Sequence, residues 1–216
     1  MVYKTDNGLA SNTKGEIIAN SISHGIGVGL SIAGLVILVI RAAKSGSGWH
    51  LAGFLIFGIS LLLLYSSSTI YHSFANKPWK GILQRLDHAA IYILIAGTYT
   101  PYLLTQSRTG LGWAVFALVW GLSIMGLILK LAFSKKFEKP TVWLYVLMGW
   151  AGLVVFFQDG LELTSLAVLF LIIGGVFYTS GILFYRWKNL PYGHAVWHLF
   201  VLGGSIFHYF SVMQLV

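Results

Sequence analysis

Residues 194–215 read HAVWHLFVLGGSIFHYFSVMQL. The run of 22 residues contains no Lys, Arg, Asp or Glu. A bilayer core about 30 Å thick takes about 20 helical residues to cross, so this stretch predicts a membrane-spanning helix. Its first turns carry His194 and His198, four residues apart. In a helix that spacing puts both on one face, one turn above the other. Two imidazole nitrogens so placed can grip a zinc-like ion. Ionisable groups inside a membrane segment are costly and tend to mark function.

The whole chain repeats the pattern of that stretch. Of 216 residues, 57% are hydrophobic and 9% charged, against about 25% charged in a soluble domain. Six further segments qualify as spans: 17–40, 50–74, 86–105, 111–132, 141–158 and 164–185. The expected fold is an all-α integral membrane protein, a seven-transmembrane helix bundle. A short segment, 1–16, precedes one domain, 17–216. The first 16 residues are polar, so a cleaved signal peptide is not expected. Asp159, Gly160 and Glu162 are expected to end the fifth span. Pro101 is expected to kink or loosen the third. Paired or alternating glycines (Gly25, Gly27 and Gly29; Gly174 and Gly175; Gly203 and Gly204) predict close helix approach.

The net charge of +8 does not point to nucleic acid, because the basic residues fall in short loops between apolar spans. Eleven of the fourteen lie on one side: Lys4, Lys14, Lys77, Lys80, Arg85, Lys130, Lys135, Lys136, Lys139, Arg186 and Lys188. Arg41, Lys44 and Arg108 lie on the other. This count treats Lys130 as a loop residue. The excess of Lys and Arg on cytoplasmic loops predicts a cytoplasmic N-terminus and an outside C-terminus.

Topology assigns each polar residue a depth. The second span ends near the cytoplasmic face with Ser68 and His72. The third begins there with Asp87 and His88, and the seventh with His194 and His198. The first begins there with Glu16, Asn20 and His24 at successive four-residue steps. With no cysteine in the chain, any metal must be held by His, Asp, Glu or water. His72, His194 and His198 offer three neutral nitrogens, and three protein ligands plus water is the open, catalytic kind of zinc site. Ser68, four residues before His72, can hydrogen-bond that water, and Asp87 can accept its proton. Charge also balances: zinc, an ionised Asp87 and a hydroxide sum to zero. An isolated aspartate at mid-membrane would cost about 2.5–3.5 kcal/mol.

Other readings stand beside this one. His88 is an alternative to Asp87, since adjacent helical residues point about 100° apart and one of the two faces the metal. Glu16, Asn20 and His24 read equally as a helix cap with interhelical contacts or as support behind the ligands. His50 reads as an interfacial residue and His208 as a helix–helix hydrogen-bond partner.

These motifs resemble the hemolysin III group of the progestin and adipoQ receptor (PAQR) family, which belongs to a wider superfamily with alkaline ceramidases. The matching pieces are Glu16 through His24 with Gly25 and Gly27, then Ser68-x-x-x-His72. Leu86 through Ile91, Gly97 through Pro101, and His194-x-x-x-His198 complete the set. The resemblance implies seven helices, a cytoplasmic N-terminus and an intramembrane zinc. It implies that His72, His194 and His198 bind the zinc, and that Asp87 and Ser68 support its water. Hormone-receptor members carry a longer N-terminal region than the 16 residues here, so hormone recognition is not carried over. A multi-pass protein of a bacterial cytoplasmic membrane is expected.

The chemistry predicts a zinc-dependent hydrolase of a lipid amide or ester, with a membrane lipid as substrate. The alternative is a non-enzymatic membrane regulator with a structural or sensory zinc. A transporter ranks last, because a continuous polar path is wanted and the polar groups gather on the inner side.

Overall fold

The computed structural model describes residues 13–74, 78–133, 138–151, 153–154 and 163–216. Asp159, Gly160 and Glu162, expected to close the fifth span, lie outside these residues, as do Lys4, Lys77, Lys135 and Lys136 of the charge count. Among the described residues there are seven α-helices: α1 (Lys14–Ser45), α2 (Gly48–Ser73), α3 (Lys80–Thr105), α4 (Gly110–Phe133), α5 (Glu138–Ala151), α6 (Ser165–Arg186) and α7 (Gly193–Val212). A 3₁₀ turn, Met213–Leu215, follows α7.

Local chemistry sets the ends of α1. Thr13 and Glu16 form a capping box, in which the Glu16 amide donates to Thr13 Oγ1 (3.2 Å) and the Thr13 amide donates to Glu16 Oε2 (2.7 Å). The helix stops at Gly46, whose φ of +67° is a left-handed conformation that glycine takes without steric cost.

Helix α1 packs on α2 and α7, α2 on α3, and α6 on α7. Helix α3 touches α2, α4, α5 and α7. The contact of α1 with α7 brings the first and last helices together, and α3 takes an inner place. Its buried residues run from Asp87 to Leu104.

Among the described residues, five helices are long and apolar enough to cross a membrane: α1, α2, α4, α6 and α7. Helix α3 has 26 residues, enough in length, but is less apolar. Being wrapped by neighbours, it presents little surface to lipid and carries polar groups inward. It also starts six residues earlier than its apolar run suggests, because its first turns, with Lys80 and Arg85, are polar. Helix α5 has 14 residues.

The outer face of α1 shows why this is a multi-pass membrane protein. Ile18, Ile22, Ile26 and Leu30, four residues apart, are all about half exposed. A continuous apolar stripe of this kind needs lipid, not water, around it. The glycines divide: a Cβ on Gly27 would strike the Tyr65 ring of α2, whereas one on Gly29 would meet nothing within 4 Å. Gly174, Gly175, Gly203 and Gly204 all lie against neighbouring side chains.

One sequence expectation is corrected. Lys130 is not in a loop; it lies in the last turn of α4 with 3% of its surface exposed. The negative end of a helix dipole favours a cation there, and the side chain turns into the bundle.

Candidate metal centre

Three helix ends meet on the side of the bundle where α1 starts, α2 ends and α7 starts. His72 comes from the last turn of α2, and His194 and His198 from the first turns of α7. Tyr192, just before α7, holds a left-handed φ of +57° that costs a non-glycine residue about 1–3 kcal/mol. Its amide donates to Glu16 Oε1 (3.1 Å), which ties the start of α7 to the capped start of α1. Glu16 therefore acts as a cap and tether.

The three histidines converge. One nitrogen from each lies within 4.8 Å of the others. The Nε2 atoms of His72 and His194 are 3.2 Å apart. Two nitrogens bound to one tetrahedral zinc at about 2.0–2.1 Å would be about 3.3 Å apart. His72 is 5% exposed and His198 fully buried. His194 is partly buried, so a cation held here would take these rings as its ligands and leave room for a water.

Hydrogen bonds decide which nitrogen His198 presents. The Ser23 hydroxyl donates its single proton to the Asn20 carbonyl (3.0 Å). Its oxygen, 3.0 Å from His198 Nδ1, is then left to accept. The Asn20 carbonyl, 3.3 Å from the same nitrogen, can only accept. Both neighbours require a proton on Nδ1, so Nε2 carries the lone pair. That Nε2 is buried with no hydrogen-bond partner. An orphaned lone pair beside two other imidazoles fits a metal.

His24 supports the same ring. It stacks on His198 with centroids 3.5 Å apart, while the Tyr65 ring stands edge-on to it at 5.0 Å. Asn20 is also fully buried. Of the stripe Glu16, Asn20 and His24, the last two reach the centre directly.

Ser68, one turn before His72 on α2, and Asp87, on α3, are 1% and 4% exposed. Ser68 Oγ is buried with no hydrogen-bond partner. His88 stands outside the three-histidine cluster; its carbonyl accepts from the Tyr145 hydroxyl (2.7 Å). Asp87, His88 and His24 all line a cavity that runs between α3, α5, α6 and α7. Its walls are mainly apolar, with Leu64, Ile91, Leu94, Val146, Leu171 and Ile172 among them. The two remaining histidines bond across the fold: His208 Nε2 is 3.1 Å from the Leu171 carbonyl, and His50 Nε2 is 3.0 Å from that of Leu215.

Sequence reasoning missed two residues. Ser23 sits off the four-residue stripe, and only its three-residue step from Asn20 hinted at a shared face. Lys130 was hidden by its place next to a basic loop; it lines the same cavity as Asp87.

Comparison with known proteins places the chain in a family. The profile of a family described as haemolysin-III related matches residues 14–209. A Hemolysin-3 homolog of Bacillus subtilis (strain 168) is 46% identical, over 92% of this chain and 93% of that protein. The Hemolysin-3 of Bacillus cereus is 44% identical, over 92% and 90%. The human Monocyte to macrophage differentiation factor is 27% identical, over 96% and 87%. With a family profile matched over residues 14–209 and relatives 44–46% identical over 92% of its length, this chain belongs to the haemolysin-III-related family.

Proposed function

We propose that this protein binds zinc through His72, His194 and His198 and hydrolyses an amide or ester of a membrane lipid. The carrying observation is the three-histidine cluster beside a mainly apolar cavity whose lining includes Asp87. In this reading all seven helices cross the membrane, with the N-terminus and the site toward the cytoplasm, and the charge bias of the loops supports it.

When bound, zinc supplies Lewis acidity, polarising a carbonyl and making water acidic near neutral pH. The residues of the chain do the rest. The apolar wall holds the acyl chain and keeps bulk water out. Asp87 accepts a proton as a water oxygen bonds to the lipid carbonyl carbon. The Ser68 hydroxyl donates to the oxygen that gains negative charge. Asp87 then returns the proton to the leaving nitrogen or oxygen as the carbon–heteroatom bond breaks, and a fatty acid departs.

The test is metal analysis of the purified protein, followed by fatty-acid release from a panel of membrane lipids. Wild type is expected to hold about one zinc, and His72→Ala and His198→Ala to lose it. His194→Ala is expected to abolish release. Wild type without stoichiometric metal, or zinc-replete protein inert on every lipid, would overturn the reading.

A further inference from the structure

The charge balance of the site includes one group that the spacing of the motifs does not suggest. Lys130 is 3% exposed on α4. Among the described residues it is the one Lys or Arg lining the cavity, and Asp87 is the one carboxylate. It is also the one residue that α4 contributes there. Lysines near the end of a membrane helix ordinarily extend their charged heads to water. This one is buried and lines the cavity together with Asp87 and His88.

The consequence follows from counting charges. The cavity lining then holds one ammonium and one carboxylate, so its charged side chains together contribute no net charge. The three imidazoles of a metal site are neutral. The residues around the centre then supply no net negative charge against a divalent cation. Uncompensated charge in a water-poor interior is strongly disfavoured. The balance has to come from whatever enters the cavity.

We propose that the cavity selects an acyl lipid bearing an oxyanion, and that Lys130 is the residue that favours this anion over a neutral lipid. The inference rests on the zinc reading above and narrows its substrate class to anionic lipids. The shared chemistry, an oxyanion on an acyl chain, has two sources: a fatty carboxylate or a phosphodiester headgroup.

Equilibrium binding of radiolabelled lipids to zinc-loaded protein in a neutral detergent tests it. The probes are palmitate against hexadecanol, and palmitoyl lysophosphatidylglycerol against monopalmitoylglycerol. Wild type is expected to bind at least one anion about tenfold or more tighter than its neutral counterpart, the scale of one charged hydrogen bond. The pair that shows the preference identifies the source. Lys130→Met should abolish the preference and keep the neutral affinity, while Lys130→Arg should retain it. Equal binding of anionic and neutral lipids by wild type overturns the proposal, as does a preference that persists in Lys130→Met. Should Lys130→Met fail to fold, Lys130→Gln carries the same comparison, and the wild-type ratio can overturn the proposal unaided. Because binding is read apart from turnover, the two readings separate. Anion preference without hydrolysis removes the hydrolase alone, and hydrolysis of neutral lipids without preference removes the role of Lys130 alone.

Discussion

His24 lies flat on His198, with ring centroids 3.5 Å apart and planes 16° from parallel. Neither nitrogen of His24 has a hydrogen-bond partner. The ring thus works at this contact as a flat wall that fixes the plane of His198. His24→Phe keeps a flat ring and removes two unsatisfied polar atoms. It is expected to retain zinc and to unfold no more easily than wild type. His24→Ala leaves a void, and is expected to cost about 3 kcal/mol by analogy with other buried rings. Metal analysis and thermal unfolding in detergent read both. Loss of zinc in a folded His24→Phe protein would mean that His24 is a ligand.

Ser23 accepts from His198 Nδ1 and so orients the ring whose Nε2 faces the cluster. Removing such a partner weakens metal affinity by about 10–100-fold in known sites. Because the Asn20 carbonyl remains, Ser23→Ala should fall near the lower figure and Ser23→Thr should recover. Competition against a chelator measures it. An unchanged affinity in Ser23→Ala would remove Ser23 from the centre.

Asp87 separates the hydrolase from the regulator. Asp87→Asn keeps the shape and loses the base. If the protein is a hydrolase, the variant should keep its zinc and lose about 10²–10⁴-fold in lipid turnover. If the zinc is structural or sensory, Asp87→Asn should preserve both metal and cellular effect. Zinc content, turnover and complementation on the same variant decide between them.

Two glycines of one motif should behave oppositely. Gly27→Ala drives a methyl group into the Tyr65 ring, which stands against His24. The expected cost is about 1–3 kcal/mol. Gly29→Ala meets open space and gains helix propensity, so it should be neutral or stabilising by up to about 1 kcal/mol. Paired unfolding curves in one detergent provide the comparison, and equal effects would remove the packing account of Gly27.

Glu16 closes the α1 cap and holds the Tyr192 amide. Glu16→Ala is expected to cost about 1 kcal/mol, as for the loss of other caps. It should also loosen the start of α7, lowering zinc affinity less than any histidine substitution does. A loss of zinc as complete as in His194→Ala would make Glu16 part of the centre itself.

Much of this was legible in the order of residues. Apolar runs mark the helices because a crossing must satisfy its backbone internally. The i, i+4 pairs Ser68/His72 and His194/His198 survive any error of a few residues in helix boundaries. The choice between Asp87 and His88 is not legible in the sequence, because neighbouring residues on one helix share a depth; both line the cavity and both stand outside the three-histidine cluster. Helix α3 itself reads as less apolar because its neighbours, not lipid, surround it.

What the sequence determined by itself is the helical membrane fold and the shortlist of ligands. Both follow from local rules, hydropathy and helical spacing, that need no knowledge of neighbours. What only the tertiary structure decided is how those residues are used. Ser23 sets the tautomer of His198 from another helix, His24 acts as a flat support, and Lys130 turns from its basic surroundings into the cavity that Asp87 lines. Each of these depends on how far one helix is turned and shifted against the next. No pattern within a single helix encodes that.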